Sequence, residues 1–279
     1  MGKLKRAPKA YHNLKFLDSP AARTVRILTE YFEPLDRLRK NNIQDTVVFF
    51  GSSRIKSKQE AKRNLNSINK KYAVVKRNIS KAKEKYLREL KFAKNDLMMS
   101  RYYEDTVELA YLLTKWSKGL NNKNKFVVSS GGGPGIMEAA NRGARKARGC
   151  SIGFNISIPA EQFPNDYISP ELNFEFHYFF MRKFWFAYLA KALVIMPGGF
   201  GTLDELMELL TLVQTNKLKK KMTILIYGKD YWDKIVNFKK LVEYNMISKS
   251  DLRLFKFADT PEEAFEFLKK DLTKYYIKN

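Results

Sequence analysis

The chain has 279 residues, 44% of them apolar, which favours one large α/β core, with or without a helical appendage, over two full domains. Its one cysteine, Cys150, excludes an internal disulfide framework and fits a reducing compartment. No uninterrupted apolar run reaches the length of about 18 residues that a membrane span needs. The basic N-terminal residues lack the apolar core of a secretory signal. We therefore expect a cytoplasmic protein that has no membrane partner.

The net charge of +23 would suit a nucleic-acid partner, but its distribution argues against one. About half of the excess falls between Lys56 and Arg101, where 15 basic residues stand against 4 acidic ones. Most of them are lysines, scattered over predicted helical faces without interleaved exposed aromatic residues. This pattern favours a solvated lysine-rich face over a polyanion-binding one. The two histidines, His12 and His177, lie far apart in the sequence, so no metal site is expected.

Short apolar runs bounded by turn residues predict the strands of a parallel sheet. Most lack polar alternation, as expected for strands buried on both faces. In chain order the predicted strands are residues 46–50, 126–130, 151–156, 174–178, 192–196, 222–227 and, more weakly, 254–257. Predicted helices fall at residues 136–147, 182–190, 203–216, 231–244 and 261–275. This alternation implies right-handed crossovers, so we expect an α/β, Rossmann-like, doubly wound and mostly parallel sheet with helices on both faces.

Two stretches stand outside this alternation. Residues 20–42 predict a helix before the first strand, and residues 52–118 contain neither glycine nor proline. In the second stretch apolar residues recur at steps of three and four, at Leu65, Ile68, Tyr72, Val75, Ile79, Ala82 and Tyr86 and again at Ala93 and Leu97. This heptad seam predicts a long lysine-rich helix that packs on a second subunit or on residues 101–118 of its own chain. We expect one Rossmann-like domain over residues 1–279, with an N-terminal helix at about 20–42 and a helical insertion at about 56–118.

A glycine-rich loop follows the second predicted strand and precedes a helix. Residues 129–135 read SSGGGPG, so backbone N–H groups and the helix N-terminus behind them can approach an anion closely. Ile136 stands where the dinucleotide fingerprint needs its third glycine, and no Gly-Lys-Ser/Thr follows, so neither that fingerprint nor a Walker A loop is present. The loop favours a single phosphate over a pyrophosphate. A purely structural tight turn is the alternative.

A second loop of the same kind follows the fifth predicted strand, where residues 197–202 read PGGFGT. Thr202 is placed to cap the next helix, and Asp204 and Glu205 fall in its predicted first turn, where the helix dipole alone explains one acid. Both loops end at the carboxyl edge of a parallel sheet, so we expect them to converge on one crevice. A carboxylate beside a phosphate-binding loop does not help binding, which favours a chemical role for it.

Upstream of the second loop, Arg182 lies in an otherwise apolar and aromatic run between residues 174 and 189. A lone cation in such a run indicates either an anion ligand or a structural ion pair. The residues alone leave both interpretations open.

These motifs resemble those of the LONELY GUY family. The string PGGFGTLDE at residues 197–205 matches its P-G-G-x-G-T-x-x-E signature, Met181, Arg182 and Lys183 match its upstream Met-Arg-Lys, and SSGGGPGIMEAANRGA matches its earlier loop. The resemblance runs from about residue 46 to about residue 268. It implies a Rossmann-like fold, a dimer or larger homo-oligomer, a small-molecule nucleotide substrate and no cofactor. The implied reaction is hydrolysis of the N-glycosidic bond of AMP or of a cytokinin riboside 5′-monophosphate.

Carried over position by position, the resemblance implies that Arg182 and Glu205 are catalytic. Glu205 would stabilise the positive charge that builds on the ribose, and would orient or deprotonate the attacking water. Arg182 would hold the phosphate or a ribose hydroxyl and form a charge-assisted pair with Glu205. The substrate-binding positions that the resemblance implies are Gly131, Gly132, Gly133, Glu161, Lys183, Gly198, Gly199, Gly201, Thr202 and Thr211.

Two departures from the family pattern bear on cytokinin preference. Glu138 replaces the small residue that plant-type members carry after the methionine, and the shortest members lack the lysine-rich segment. An older family label, lysine decarboxylase, would require a Schiff-base lysine and an acid facing the pyridinium nitrogen, and no lysine here is placed by such a constellation. The main alternative to an enzyme is a non-catalytic carrier of a nucleotide or of the molybdenum cofactor, which would have no use for the motif glutamate.

Overall fold

The computed structural model describes residues 6–75, 80–120, 125–158 and 163–277. The strands in this part of the chain are β1 (Thr46–Phe50), β2 (Val127–Ser130), β3 (Ser151–Ile156), β4 (Asn173–Phe176), β5 (Ala190–Ile195), β6 (Thr223–Tyr227) and β7 (Phe255–Ala258). The α-helices are α1 (Leu14–Leu17), α2 (Arg23–Lys40), α3 (Lys58–Val75), α4 (Ser80–Lys118), α5 (Ile136–Lys146), α6 (Phe179–Leu189), α7 (Phe200–Gln214), α8 (Lys229–Ile235), α9 (Phe238–Glu243) and α10 (Pro261–Tyr276). Among the described residues, no helix combines the length and the apolar composition of a membrane span.

The seven strands form one parallel sheet in the order β4-β3-β2-β1-β5-β6-β7. The chain winds outward from β1 to β4, returns to place β5 beside β1, and winds outward again to β7. In the centre of the sheet, Val48 of β1 is paired with Ser129 of β2, and Val47 is paired with Ala192 of β5. The strand order reverses between β1 and β5, which is where such sheets bind ligands beyond the strands' carboxyl ends. The predicted α/β, doubly wound fold is confirmed.

The sheet is buried on both faces because its strands send apolar side chains alternately into two cores. In β1, Val48 belongs to one core and Val47 to the other. Helices α2, α6 and α7 contribute to the first core, in which Trp185 is fully buried. Helices α4, α5 and α10 contribute to the second, in which Leu109 is fully buried. This arrangement explains why the strands read as continuous apolar runs.

The crossover from β1 to β2 carries a helical hairpin in place of a single helix. α3 follows the carboxyl end of β1, and α4 packs on α3 before the chain enters β2. The second half of α4, around Leu109, covers the sheet and packs on α5 and α10. With 39 residues, α4 is about 58 Å long. We call α3 together with residues 80–98 of α4 the arm; it extends beyond the carboxyl edge of the sheet.

The single long helix predicted from the heptad seam is wrong. Its residues belong to both helices of the arm, and Ile79 lies outside the described residues, as do the side chains of Val75 and Ala82. The ring of Tyr72 stacks on that of Tyr86 with 3.5 Å between the centroids, and the Tyr86 hydroxyl donates to Asn69 Oδ1 at 3.1 Å. A hairpin buries a heptad stripe as effectively as a second subunit does. The partner of the seam is therefore its own other half, and residues 101–118 simply continue α4.

Several predicted boundaries also shift. α6 and α7 each begin three residues before the predicted start, because their capping residues Tyr178 and Gly199 leave the helical conformation only there. The helix predicted over residues 231–244 is divided into α8 and α9. Val236 is extended, with φ −130°, and the Asn237 side chain accepts a hydrogen bond from the Lys240 N–H at the start of α9.

Candidate active site

A cavity of about 700 Å³ opens at the carboxyl edge of the sheet, where the strand order reverses between β1 and β5. Residues after β1, β2 and β5, the end of β3, and helices α6, α7 and α8 line it. The two glycine-rich loops therefore converge on one crevice, as predicted. The candidate residues that the structure brings to this cavity are Gly131, Arg182, Gly198, Gly199, Gly201, Thr202 and Glu205.

Glu205 is a buried carboxylate on α7, with 9% of its surface exposed. Within the described residues it has neither a hydrogen-bond donor nor an ion-pair partner. Burial raises its pKa to about 7, and the nearby cations Lys183 and Arg182 act against this shift without cancelling it. Because α7 begins at Phe200, Asp204 and Glu205 fall in its second turn and not in its first. The helix dipole therefore accounts for neither acid, since its effect is confined to the first turn.

Arg182 lies on α6 and is held by backbone oxygens. Its Nε donates to the Phe154 carbonyl at 2.7 Å, its Nη2 donates to the Gly131 carbonyl at 3.3 Å, and its guanidinium lies over the Phe186 ring. Burial lowers its pKa, while Glu205 and then Glu175 act in the opposite direction. The expected charge-assisted pair with Glu205 is not formed, since no ion pair within 4.0 Å joins the two in the described structure. They interact through their charges alone.

The loop after β5 presents an open helix N-terminus to the cavity. The first hydrogen bond within α7 is donated by the Leu203 N–H to the Gly199 carbonyl at 3.0 Å. The N–H groups of the three preceding residues of α7 therefore have no acceptor within the helix. A Cβ on Gly199 or Gly201 would meet no atom within 4 Å. Gly199 is the capping residue and no side chain caps the helix, so the predicted Thr202 cap is wrong. Thr202 lies inside the first turn, with its hydroxyl against Gly198.

The loop after β2 is tied into the protein more tightly than predicted. The Ile136 N–H, at the start of α5, donates to the Ser52 carbonyl at 3.1 Å. The Asn165 side chain donates to the carbonyls of Gly132 and Gly133, at 2.9 and 3.1 Å. In the described structure only Gly131 of the three glycines lines the cavity. The first N–H of α5 is therefore taken by Ser52, and two of the three loop glycines lie behind the cavity wall.

Lys183 of α6 and Thr211 of α7 line a separate shallow depression. Lys183 Nζ forms ion pairs with Asp204 Oδ2 at 2.7 Å and with Glu208 Oε2 at 2.5 Å. Burial lowers the pKa of Lys183, but its hydrogen bonds to Asp204 and Glu208 outweigh this and raise it. The Thr211 hydroxyl donates to the Met207 carbonyl at 2.7 Å. The structure thus does not bring either residue to the cavity, and Glu161 lies outside the described residues.

A third loop also lines the cavity, and the sequence analysis did not predict it. Ser52, Ser53 and Arg54 follow β1 and form part of the cavity wall. The available signal was a Gly-Ser-Ser string directly after a buried strand, at the same edge as the two glycine-rich loops. Asn155, at the end of β3, was also missed. It explains Gly132, because a Cβ there would lie 2.2 Å from Asn155 Oδ1.

Glu138 faces away from this cavity. It accepts a hydrogen bond from the Tyr103 hydroxyl of α4, and it is not among the cavity-lining residues of the described structure. The change from a small residue at this position therefore couples α5 to α4, where the arm begins, and does not alter the cavity wall.

The comparisons with known proteins agree with the motifs. The model of a family described as "Possible lysine decarboxylase" matches residues 137–268. Among curated proteins, the probable cytokinin riboside 5′-monophosphate phosphoribohydrolase LOGL2 of Oryza sativa subsp. japonica is 30% identical over 161 residues, 55% of this chain and 62% of that protein. The corresponding LOGL6 is 34% identical over 88 residues, 31% of this chain and 35% of that protein. The chain thus spans less than two thirds of the length of either relative.

Two solved structures match this chain at low similarity. The X-ray structure of TM1055 is 22% identical and covers 61% of this chain and 89% of its own, with a TM-score of 0.42. The molybdenum cofactor carrier protein of Chlamydomonas reinhardtii is 18% identical and covers 62% of this chain and 89% of its own, with a TM-score of 0.39.

The cavity does not fit the chemistry that the family description names. A pyridoxal-phosphate decarboxylase needs a lysine for the Schiff base, and no lysine is among the described residues that line the cavity. The ammonium of Lys183, the lysine beside Arg182, is paired with two carboxylates of α7. The residues that the family model matches, 137–268, include the Met-Arg-Lys and PGGFGTLDE motifs. The chain is thus similar to this family over residues 137–268, and to the curated rice protein LOGL2 over 161 residues.

Proposed function

We propose that the protein hydrolyses the N-glycosidic bond of a nucleoside 5′-monophosphate to a free base and ribose 5-phosphate. The observation that carries this proposal is the state of Glu205. It is a buried carboxylate, unpartnered among the described residues, with a pKa raised to about 7, in a cavity that also contains an open helix N-terminus. A perturbed carboxyl group in a cleft is typical of catalytic sites. An open helix N-terminus suits a phosphate.

Glycosidic cleavage makes use of both features. The bond from C1′ to the base nitrogen breaks with its electron pair going to the base, which takes up a proton to leave as the free base, so positive charge develops on the ribose. A water oxygen then bonds to C1′ and gives up one proton. The Glu205 carboxylate can stabilise the ribose charge and accept that proton, because a pKa near 7 is matched to general-base catalysis at neutral pH. Arg182, fixed by two backbone carbonyls, places a positive charge on the wall of the same cavity.

The finer proposal is that the substrate is a purine nucleotide, either AMP or a cytokinin riboside 5′-monophosphate. The names of the rice relatives support a cytokinin nucleotide, although the chain spans less than two thirds of their length. The apolar part of the cavity wall supports a flat aromatic base, since it includes Phe50, Ile156, Phe179 and Phe186. AMP nucleosidase activity is the corresponding proposal for the unmodified base.

The experiment that tests this function is incubation of the purified protein with a panel of nucleoside 5′-monophosphates, followed by chromatography for free base. We expect base and ribose 5-phosphate to appear in equal amounts from at least one purine nucleotide. Glu205→Gln should show no release under the same conditions. Tight binding of a nucleotide with no release of base by the unmodified protein would contradict the proposal and support a non-catalytic carrier.

We also propose that two copies of the chain associate through an aromatic face formed by α2 and α6. Phe32, Phe180 and Tyr188 are 59%, 50% and 42% exposed on these helices, and ring contacts through Tyr31 and Phe184 connect Phe32 with Tyr188. A chain of charge +23 repels its copies over most of its surface. An uncharged aromatic patch can instead contact its own symmetry mate, as a two-fold interface requires.

A further inference from the structure

The loop after β1 forms a wedge between the two glycine-rich loops. The Ser52 N–H donates to the Pro197 carbonyl at 3.0 Å, and the Ser52 carbonyl accepts from the Ile136 N–H at 3.1 Å. Gly135, with φ +70°, allows this approach, since a Cβ there would lie 2.4 Å from the Ser52 oxygen. These contacts fix the next two residues, Ser53 and Arg54, at the exposed rim of the cavity.

Within the cavity, the N-terminus of α7 is the more open of two helix starts. The Ser52 carbonyl accepts from the Ile136 N–H, the first of α5, whereas the N–H groups of residues 200–202 at the start of α7 have no acceptor among the described residues. Glu205 lines the same cavity, is more than nine-tenths buried, and has no partner among the described residues. A buried, unpartnered carboxylate is costly unless a ligand or water completes its environment. The helix N-terminus favours a ligand with an anionic group, and Glu205 favours a ligand that also brings a hydrogen-bond donor or positive charge to it.

Two cations, Arg182 and Arg54, line the cavity in the described part of the chain. Arg182 already donates to the carbonyls of Phe154 and Gly131. The Arg54 side chain is exposed, and within the described residues it has neither an ion-pair partner nor a hydrogen-bond acceptor. Its backbone N–H donates to Ser52 Oγ at 3.1 Å, which orders the loop without using the guanidinium.

We propose that Arg54 binds the phosphate of the substrate at the N-terminus of α7. Arg182 instead acts on the ribose and on the charge of Glu205. For a nucleotide this inference rests on the proposed function. An arginine suits the role because its planar guanidinium can donate two hydrogen bonds to phosphate oxygens at once. Phosphate recognition and bond cleavage are then assigned to different arginines, one at the rim and one at the back of the cavity.

The test compares Arg54→Gln and Arg54→Lys with Arg63→Gln, which removes an exposed arginine of α3 that does not line the cavity. Calorimetric affinities for AMP, ribose 5-phosphate, inorganic phosphate and adenosine are measured in a Glu205→Gln background, so that no turnover interferes. Steady-state kinetics on AMP are measured with Glu205 intact. We expect Arg54→Gln to weaken binding of AMP and ribose 5-phosphate at least about tenfold, with adenosine unchanged. KM for AMP should rise by a similar factor while kcat changes less than about threefold.

Arg54→Lys should recover part of the lost affinity, and Arg63→Gln should match the parent protein. Unchanged AMP affinity in Arg54→Gln overturns the proposal, and so does an equal loss for adenosine, which would mean that the loop has merely been distorted. Failure of the parent to bind any of the phosphate compounds overturns it as well. Binding of AMP that depends on Arg54 without any release of base would uphold this inference and contradict the proposed hydrolysis. Hydrolysis of AMP with the same KM and kcat in the Arg54 variants would uphold the proposed hydrolysis and contradict this inference.

Discussion

Arg182 and Glu205 lie on the wall of the same cavity, and the charge of each shifts the pKa of the other, yet no ion pair joins them in the described structure. Burial is the larger effect on both groups. It lowers the pKa of the arginine and raises that of the glutamate to about 7. A direct pair would have kept Glu205 fully ionised and engaged at neutral pH. The separation leaves a carboxylate that can act on a substrate placed between the two side chains.

Glu205→Gln should abolish base release while leaving nucleotide affinity within about tenfold. The amide keeps the size of the side chain but cannot stabilise positive charge or accept a proton, so the loss should fall on kcat. Glu84→Gln, an exposed glutamate of the arm, is the matched control. Chromatographic kcat and calorimetric AMP affinity are the two measurements. A Glu205→Gln variant that retained more than about a tenth of kcat would rule out the catalytic assignment.

The pH profile of kcat/KM for AMP should rise with pH and level off above about 7. The rate needs ionised Glu205, whose pKa of about 7 makes the carboxylate the minor form below that pH. The slope should steepen below about pH 6, where the phosphate of the substrate also begins to take up a proton. A profile that stays flat between pH 6 and pH 8 would contradict the role of this carboxyl group as a base.

Glu205→Gln should also stabilise the fold above pH 7. The folded-state pKa of about 7 lies above the ordinary value of 4.5, so between these pH values the native state binds more protons than the unfolded one, and stability falls as pH rises. The resulting decrease in the free energy of unfolding is complete above pH 7 and is about 3 kcal/mol at most. Urea unfolding at pH 8 should therefore show a gain for Glu205→Gln and none for Glu84→Gln, and the gain should vanish near pH 4. If Glu205→Gln were less stable than the parent protein at pH 8, ionised Glu205 would not destabilise the fold.

The 5′-phosphate should be required for efficient cleavage. The open N-terminus of α7 favours an anion, so adenosine loses charged contacts worth roughly 3 kcal/mol. We expect kcat/KM for adenosine to be at least about a hundredfold below that for AMP. Comparable values for the two substrates would mean that the loops bind some other group.

The sequence was sufficient for the sheet and for the convergence of the two glycine-rich loops, because strands buried on both faces leave an unmistakable apolar pattern. It could not place the start of α7 at Phe200, since the glycines before it permit several starting points, and that shift moves Glu205 from the first turn to the second. Nor could it show that Ser52 covers the start of α5, because this bond joins segments far apart in the chain.

The heptad seam shows a different limit. Its period correctly predicted helices that pack through an apolar stripe, but the stripe is the same whether its partner is another chain or the other half of a hairpin. Residues 76–79, between α3 and α4 in the sequence, include neither glycine nor proline, so no local signal separates the two helices. The contacts of Tyr72 with Tyr86, which settle the choice, lie between residues that only the fold brings together.

If the protein self-associates, the aromatic face of α2 and α6 should form the contact and the arm should not. Phe32→Asp with Tyr188→Asp places charges on that face at exposed positions, so the double variant should fold, as judged by circular dichroism, yet run as a smaller species by light scattering. Leu87→Asp with Phe92→Asp is the matched control, because it changes two exposed apolar residues of the arm. Ile68→Asp should instead loosen the arm, since Ile68 belongs to the seam closed within the chain, and the association state should stay the same. Dissociation caused by the arm variants, with the α2 and α6 variant unaffected, would transfer the interface to the lysine-rich hairpin.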